Sequence, residues 1–136
     1  MGKSKFKLIK NESGASAVEF AIILPVLVML VFGIVEFGVA YNNYLAITHA
    51  AREGARIAAV DLNNPSLESM IIERAYPVIP DSISVNTPEG TEIGDPVVVT
   101  VTYGISITIP FVGSWDIPLN SRATMRLENY EEITPP

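Results

Sequence analysis

The sequence predicts an α+β fold: a long N-terminal helix, membrane-spanning in its first part, packed on a small C-terminal antiparallel sheet with one short second helix. Three observations point there. Residues 20–35 contain no charged side chain, and good helix formers continue from that run to about Val60. Residues 97–109 alternate apolar and polar side chains, the period-two signature of a half-buried strand. Between these stretches, Asn63-Asn64-Pro65, Tyr76-Pro77 and Ile79-Pro80 punctuate the chain as turns do.

The helix comes first. Residues 20–35 cover roughly 24 Å at about 1.5 Å per residue, and extension to Ala40 brings the run to the ~30 Å of a hydrocarbon core. A single carboxylate, Glu19, stands at its head and another, Glu36, near its far end. Charge at the edge of a membrane-length segment is costly in lipid, so Glu19 calls for a partner or a task, while Glu36 can reach headgroups or a neighbouring subunit. Pro25 removes one backbone hydrogen bond and predicts a kink. Beyond the apolar run, helix formers carry on, so one helix is expected from about Ser16 to about Val60, with half of it projecting past a bilayer. On that projecting half Ala46, Ala50, Gly54 and Ala58 recur every four residues beside Ala51, Ala55 and Ala59. Small residues at this spacing let another element approach the helix backbone, although alanine is also simply a good helix former. Arg52, Glu53 and Arg56 lie at spacings that allow Glu53 to pair with Arg56, or the arginines to meet a neighbour's carboxylates.

The remainder, residues 61–136, reads as an α+β domain. Asn64 is the expected N-cap and Pro65 the first residue of a second helix ending near Ala75. Residues 82–86 read as a short strand, 97–109 as a long one bent at Gly104, 110–118 as a turn, and 122–128 as a returning strand. The sheet's apolar face is expected on the outer half of the long helix, with residues 131–136 frayed.

Composition narrows function. The chain of 136 residues has a formal net charge of −6 and is acidic beyond its first ten residues, which excludes nucleic acid as a partner. It has no cysteine, so neither a disulfide framework nor a cysteine metal site exists. His49 is the sole histidine and has no serine or cysteine partner at a catalytic spacing, so no enzymatic activity is expected. Asp81, Glu89, Glu92, Asp95 and Asp116 are scattered and fit no EF-hand pattern, so no metal or other cofactor is expected, with a calcium site assembled from these loops as the open alternative. Lys3, Lys5, Lys7 and Lys10 precede the apolar run, while five arginines face thirteen acids from Glu36 onward. By the positive-inside rule the N-terminus stays in the cytoplasm and the domain crosses.

Gly14 before Ala15, Glu19 five residues into the chain that follows, Phe20, the run Ile23-Leu24-Pro25 and the later Ala50-Ala51-Arg52-Glu53-Gly54-Ala55-Arg56 together resemble a type IV prepilin. More narrowly they resemble the TadE-like minor pseudopilins of tight-adherence (Tad) pilus systems. The resemblance implies a basic leader over residues 1–14, cut between Gly14 and Ala15 by a prepilin peptidase on the cytoplasmic side. Cleavage removes a net charge of +3 and creates an ammonium at Ala15, and the family implies that Glu19 pairs with that amine of a neighbouring subunit. It also implies a single-pass inner-membrane protein whose partners are the peptidase, membrane lipid, other pilin subunits and the assembly platform, and which passes into an extracellular, adhesive pilus. Ala15 stands where other type IV pilins carry phenylalanine, so N-methylation does not follow. Two other readings stay open from the residues: a secretory signal peptide ending at Gly38-Val39-Ala40, and an uncleaved bitopic binding protein. Mature N-termini at Ala15, at Tyr41, or at Met1 or Gly2 distinguish the three.

Overall fold

A computed structural model describes residues 12–128. The four leader lysines and the expected fraying of residues 131–136 lie outside the described residues. Helix α1 runs over Glu12–Val60, α2 over Leu67–Ala75, and three strands follow, β1 (Ser82–Asn86), β2 (Pro96–Ile109) and β3 (Gly113–Arg126). The order and the α+β class are those the periodicities predict. Helix α1 begins about four residues before Ser16, because Ala15 and Ala17 propagate helix backwards over Gly14 at a cost of only about 1 kcal/mol. It also continues through Pro25 without interruption.

Helix α2 starts later than Asn64-Pro65 predicts. The Asn64 Oδ1 accepts the Ser66 backbone N–H at 2.9 Å, closing a local turn, and the helix opens at Leu67. Asparagine therefore serves the turn before the helix rather than the cap itself. The end is where proline requires it: Tyr76, ahead of Pro77, adopts ψ 135°, the extended conformation that a following proline favours.

The sheet is antiparallel in the order β1-β2-β3. Ser82 to Asn86 pair with Thr102 to Val98, and β2 pairs with β3 along its entire length, from Pro96 opposite Arg126 to Ile109 opposite Gly113. Strand β3 is thus about twice the length that residues 122–128 predict, and the expected turn over 110–118 shrinks to residues 110–112. Pro118 had marked turn rather than strand. It fits because β3 is an edge strand, where the missing N–H costs no ladder bond on its open side.

The core lies between the outer half of α1, the sheet and α2. Val97, Val99, Val101 and Leu127 pack against Ile47, Ala50, Ala51, Ala55 and Ala58, with Leu67, Ile71 and Ala75 of α2 closing the side. The small-residue stripe of α1 is consumed here: Ala50, Gly54 and Ala58 are all buried within the chain. At Gly54 the approach leaves no room for a side chain, since a Cβ there would stand 2.6 Å from Ile71 Cγ1 and 2.7 Å from its Cδ1. The element that the stripe admits is the chain's own second helix and sheet.

Candidate functional site

The domain fully buries no residue in the first half of α1. From Val18 to Val39 most of its large apolar side chains stand exposed, Ile22 at 70% and Phe37 at 72%, while Val28 and Met29 are half-buried. This surface is what the uncharged run of residues 20–35 predicts once the fold is seen to use only residues from Ile47 onward for its core. The helix is long and apolar enough to cross a membrane, and its apolar window has no buried residue. A core helix of a water-soluble protein would hide such a face.

The site residues distribute along this helix. Gly14 and Ala15, the expected cleavage junction, are exposed and lie inside the helix rather than in an extended segment, with open space around Gly14. Glu19 is exposed one turn beyond Ala15, and among the described residues it has no hydrogen bond or ion pair. Glu36 is half-buried about 25 Å further along the axis. Pro25 leaves the carbonyl of Ala21 without its helical donor, a local weak point although the helix is unbroken.

On the projecting half, Glu53 and Arg56 form the pair their spacing allows. The Arg56 guanidinium donates to both carboxylate oxygens, from Nε at 3.0 Å and from a terminal nitrogen at 2.7 Å. This hydrogen bond holds the Glu53 carboxyl below its ordinary range, and Glu53 in turn raises Arg56. A carboxyl whose folded-state pKa is depressed contributes stability above the unfolded value and loses it as pH falls through the folded one, so the pair weakens only in acid. Arg56 is therefore engaged within its own chain, whereas exposed Arg52 has no hydrogen bond or ion pair among the described residues. His49 is exposed as well.

Three of the five dispersed acids serve local structure. Asp81 accepts the Gly104 N–H at 2.5 Å, Asp95 accepts the Glu92 N–H at 2.9 Å, and Asp116 accepts from the Ser106 hydroxyl. Among the described residues no three histidine, aspartate or glutamate side chains gather as a metal site would need.

A family model described as TadE-like protein matches residues 14–56. Over this stretch the chain is similar to TadE-like proteins. The matched segment takes in Gly14, Ala15, Glu19, Pro25, Glu36 and the Arg52 to Arg56 cluster. It thus includes the exposed apolar half of α1 and most of the small-residue stripe that holds the domain. No curated protein and no solved structure matches the chain.

One exposed apolar surface escaped the sequence reading. Phe111, Val112, Trp115 and Ile117 stand exposed at the end of the β2–β3 hairpin, where residues 110–118 read as a plain turn. The signal was present in the alternation of Trp115, Ile117 and Leu119 with Ser114, Asp116 and Asn120.

Proposed function

We infer that this chain is a minor pseudopilin of a Tad pilus, held in the inner membrane by residues 20–40 of α1 with its domain outside the cytoplasm. The single observation that carries the reading is the exposed apolar half of α1, headed by Glu19 and matched as TadE-like. Such a surface needs lipid before assembly and neighbouring helices after it, and a bundle of N-terminal helices in a filament supplies the second. Prepilin peptidase cuts after Gly14. Because the junction lies in a helix, the protease has to unwind a turn there, and glycine in a helix interior is already about 1 kcal/mol less stable than alanine. The new ammonium of Ala15 then meets Glu19 of an adjacent subunit, and each charge offsets the other's desolvation as both leave the aqueous boundary.

The test is Glu19→Ala with two readouts. Membrane fractions should hold the variant, processed to Ala15 at its N-terminus, at the level of the parent chain, while sheared pilus fractions lose it. Normal incorporation of the variant into pili rejects the pairing, and a mature N-terminus at Tyr41 rejects the pseudopilin reading in favour of a secreted protein.

A further inference from the structure

Strands β2 and β3 run on past the main core cluster, with Ile105 still buried and Ile107 and Ile109 half-buried. Tyr103, Ile105 and Ile107 pair with Leu119, Ile117 and Trp115 on the face that packs, further along, against α1. The opposite face carries hydrogen-bonded polar pairs: Thr102 with Asn120, Ser106 with Asp116, and Thr108 with Ser114. The hairpin is therefore amphipathic. Beyond the last polar pair, Thr108 with Ser114, the tip Ile109-Pro110-Phe111-Val112-Gly113 carries no polar side chain. Phe111 is 85% exposed at the tip, and Trp115 is 48% exposed just behind it.

Two hydrogen bonds set the direction in which the hairpin points. The Ser121 hydroxyl donates to Thr48 Oγ1 at 3.0 Å, and the Glu128 N–H donates to the Ala59 carbonyl at 2.8 Å. Thr48 and Ala59 stand about 16 Å apart along the helix, against about 23 Å of extended chain from Ser121 to Glu128. With helix and strand taken as straight, β3 descends toward the N-terminal end of α1 by about 2.3 Å per residue. Trp115 then lies about 14 Å below Thr48, level with helix residues near 39, and Phe111 about 23 Å below, level with residues near 33. Half-buried Gly33, Glu36, Ala40 and Asn43 continue the α1 stripe that carries Ile47 and Ala50, so the helix face under the sheet extends in the same direction.

We propose that the β2–β3 hairpin is a second membrane contact, seating Phe111, Val112, Trp115 and Ile117 in the headgroup and upper acyl region of the leaflet on the domain's side. The proposal rests on residues 20–40 spanning the bilayer. Lipid is favoured over a second copy of the chain because the level of these residues along α1, with the wholly apolar tip deepest, follows bilayer depth, which a protein groove does not require. Tryptophan belongs at that boundary, and amphipathic elements lie in it with their apolar face buried. At the turn the Val112 N–H returns to the Ile109 carbonyl at 3.2 Å, and the outward N–H and C=O groups on the hairpin's open edges keep the strands at headgroup depth, where water and lipid headgroups can pair with them. Two contacts fix how the domain sits over the membrane, and the hairpin has to leave the lipid when the subunit is drawn into a filament.

Trp115 is the single tryptophan of the chain, so its emission reports on the hairpin alone. The full chain reconstituted at low density in phosphatidylcholine vesicles should give blue-shifted emission that iodide does not quench. Most of it should be lost when lipids brominated near the headgroup end of the acyl chain replace the ordinary ones. Water-like emission quenched by iodide overturns the proposal. So does a blue shift that needs high protein density and ignores brominated lipid, which marks a second copy as the occupant. Carbonate extraction of the same vesicles separates the two layers of the argument. A retained chain with aqueous Trp115 rejects the hairpin contact alone, whereas a released chain rejects the membrane span beneath it.

Discussion

Gly54 decides how closely the domain can sit on its helix. A Cβ at this position meets both Ile71 carbons below 3 Å and Val99 Cγ1 at 3.3 Å, and Ile71 and Val99 are themselves fully buried. A large side chain there has to displace α2 or the sheet, and overpacking of a closed core costs about 1–3 kcal/mol, more when neighbours cannot move. Gly54→Leu is expected to lower the thermal midpoint of the detergent-solubilised chain by at least about 5 °C, the shift that about 1 kcal/mol gives a domain of this size. Gly38→Leu is the matched control, because nothing lies within 4 Å of a Cβ there. Equal midpoints for the two variants would show that the close approach at Gly54 carries no weight.

At the scale of elements, α2 is a lid held mainly by one side chain. It presents Leu67, Ile71 and Ala75 inward at helical spacing, and Ile71 is the largest of these that is fully buried. Ile71→Ala should cost about 2–5 kcal/mol in chemical denaturation, and it should release the restriction at Gly54 so that Gly54→Ala is better tolerated in its presence than alone. Strictly additive effects would separate the two sites. How much of this arrangement the residues announced differs by element. Strand β1, the core of β2 and the end of α2 were legible because period-two alternation and X-Pro steps act locally. The first half of β3 was not, because Pro110, Gly113 and Pro118 are turn residues by local preference, and only pairing with β2 along its whole length makes this segment a strand. Likewise Asn64 had two local uses, cap or turn, and tertiary placement of Leu67 against the core chose between them. Glu19 was legible because a charge beside an uncharged run stands out in any context, while the hairpin tip acquires meaning only from its level along α1.

For the molecule as a whole, α1 divides at about residue 45 into two segments that answer to different solvents. Residues from Ile47 onward bury small side chains against the sheet, and from Val18 to Leu45 no large apolar side chain is fully buried and most are exposed. Folding of the domain therefore draws little from the anchoring half, and membrane residence draws little from the domain beyond the hairpin. A fragment beginning at Tyr41 is expected to keep the β-rich circular dichroism of the domain. Its thermal midpoint should stay within about 4 °C of the full chain in detergent, the range expected when no fully buried residue and only half-buried contacts such as those of Gly33, Glu36 and Ala40 are removed. The same fragment should lose stable membrane residence, because an interfacial contact by one hairpin is weak and reversible beside a spanning helix. A fragment that is unfolded, or one that resists extraction as the parent does, contradicts this division. The first result means that the exposed half of α1 completes the core, and the second that the hairpin alone anchors the domain. Between those outcomes, a folded fragment that binds vesicles only loosely is what the proposed pilus role requires, since in it the domain has to stay intact while the helix exchanges lipid for neighbouring helices.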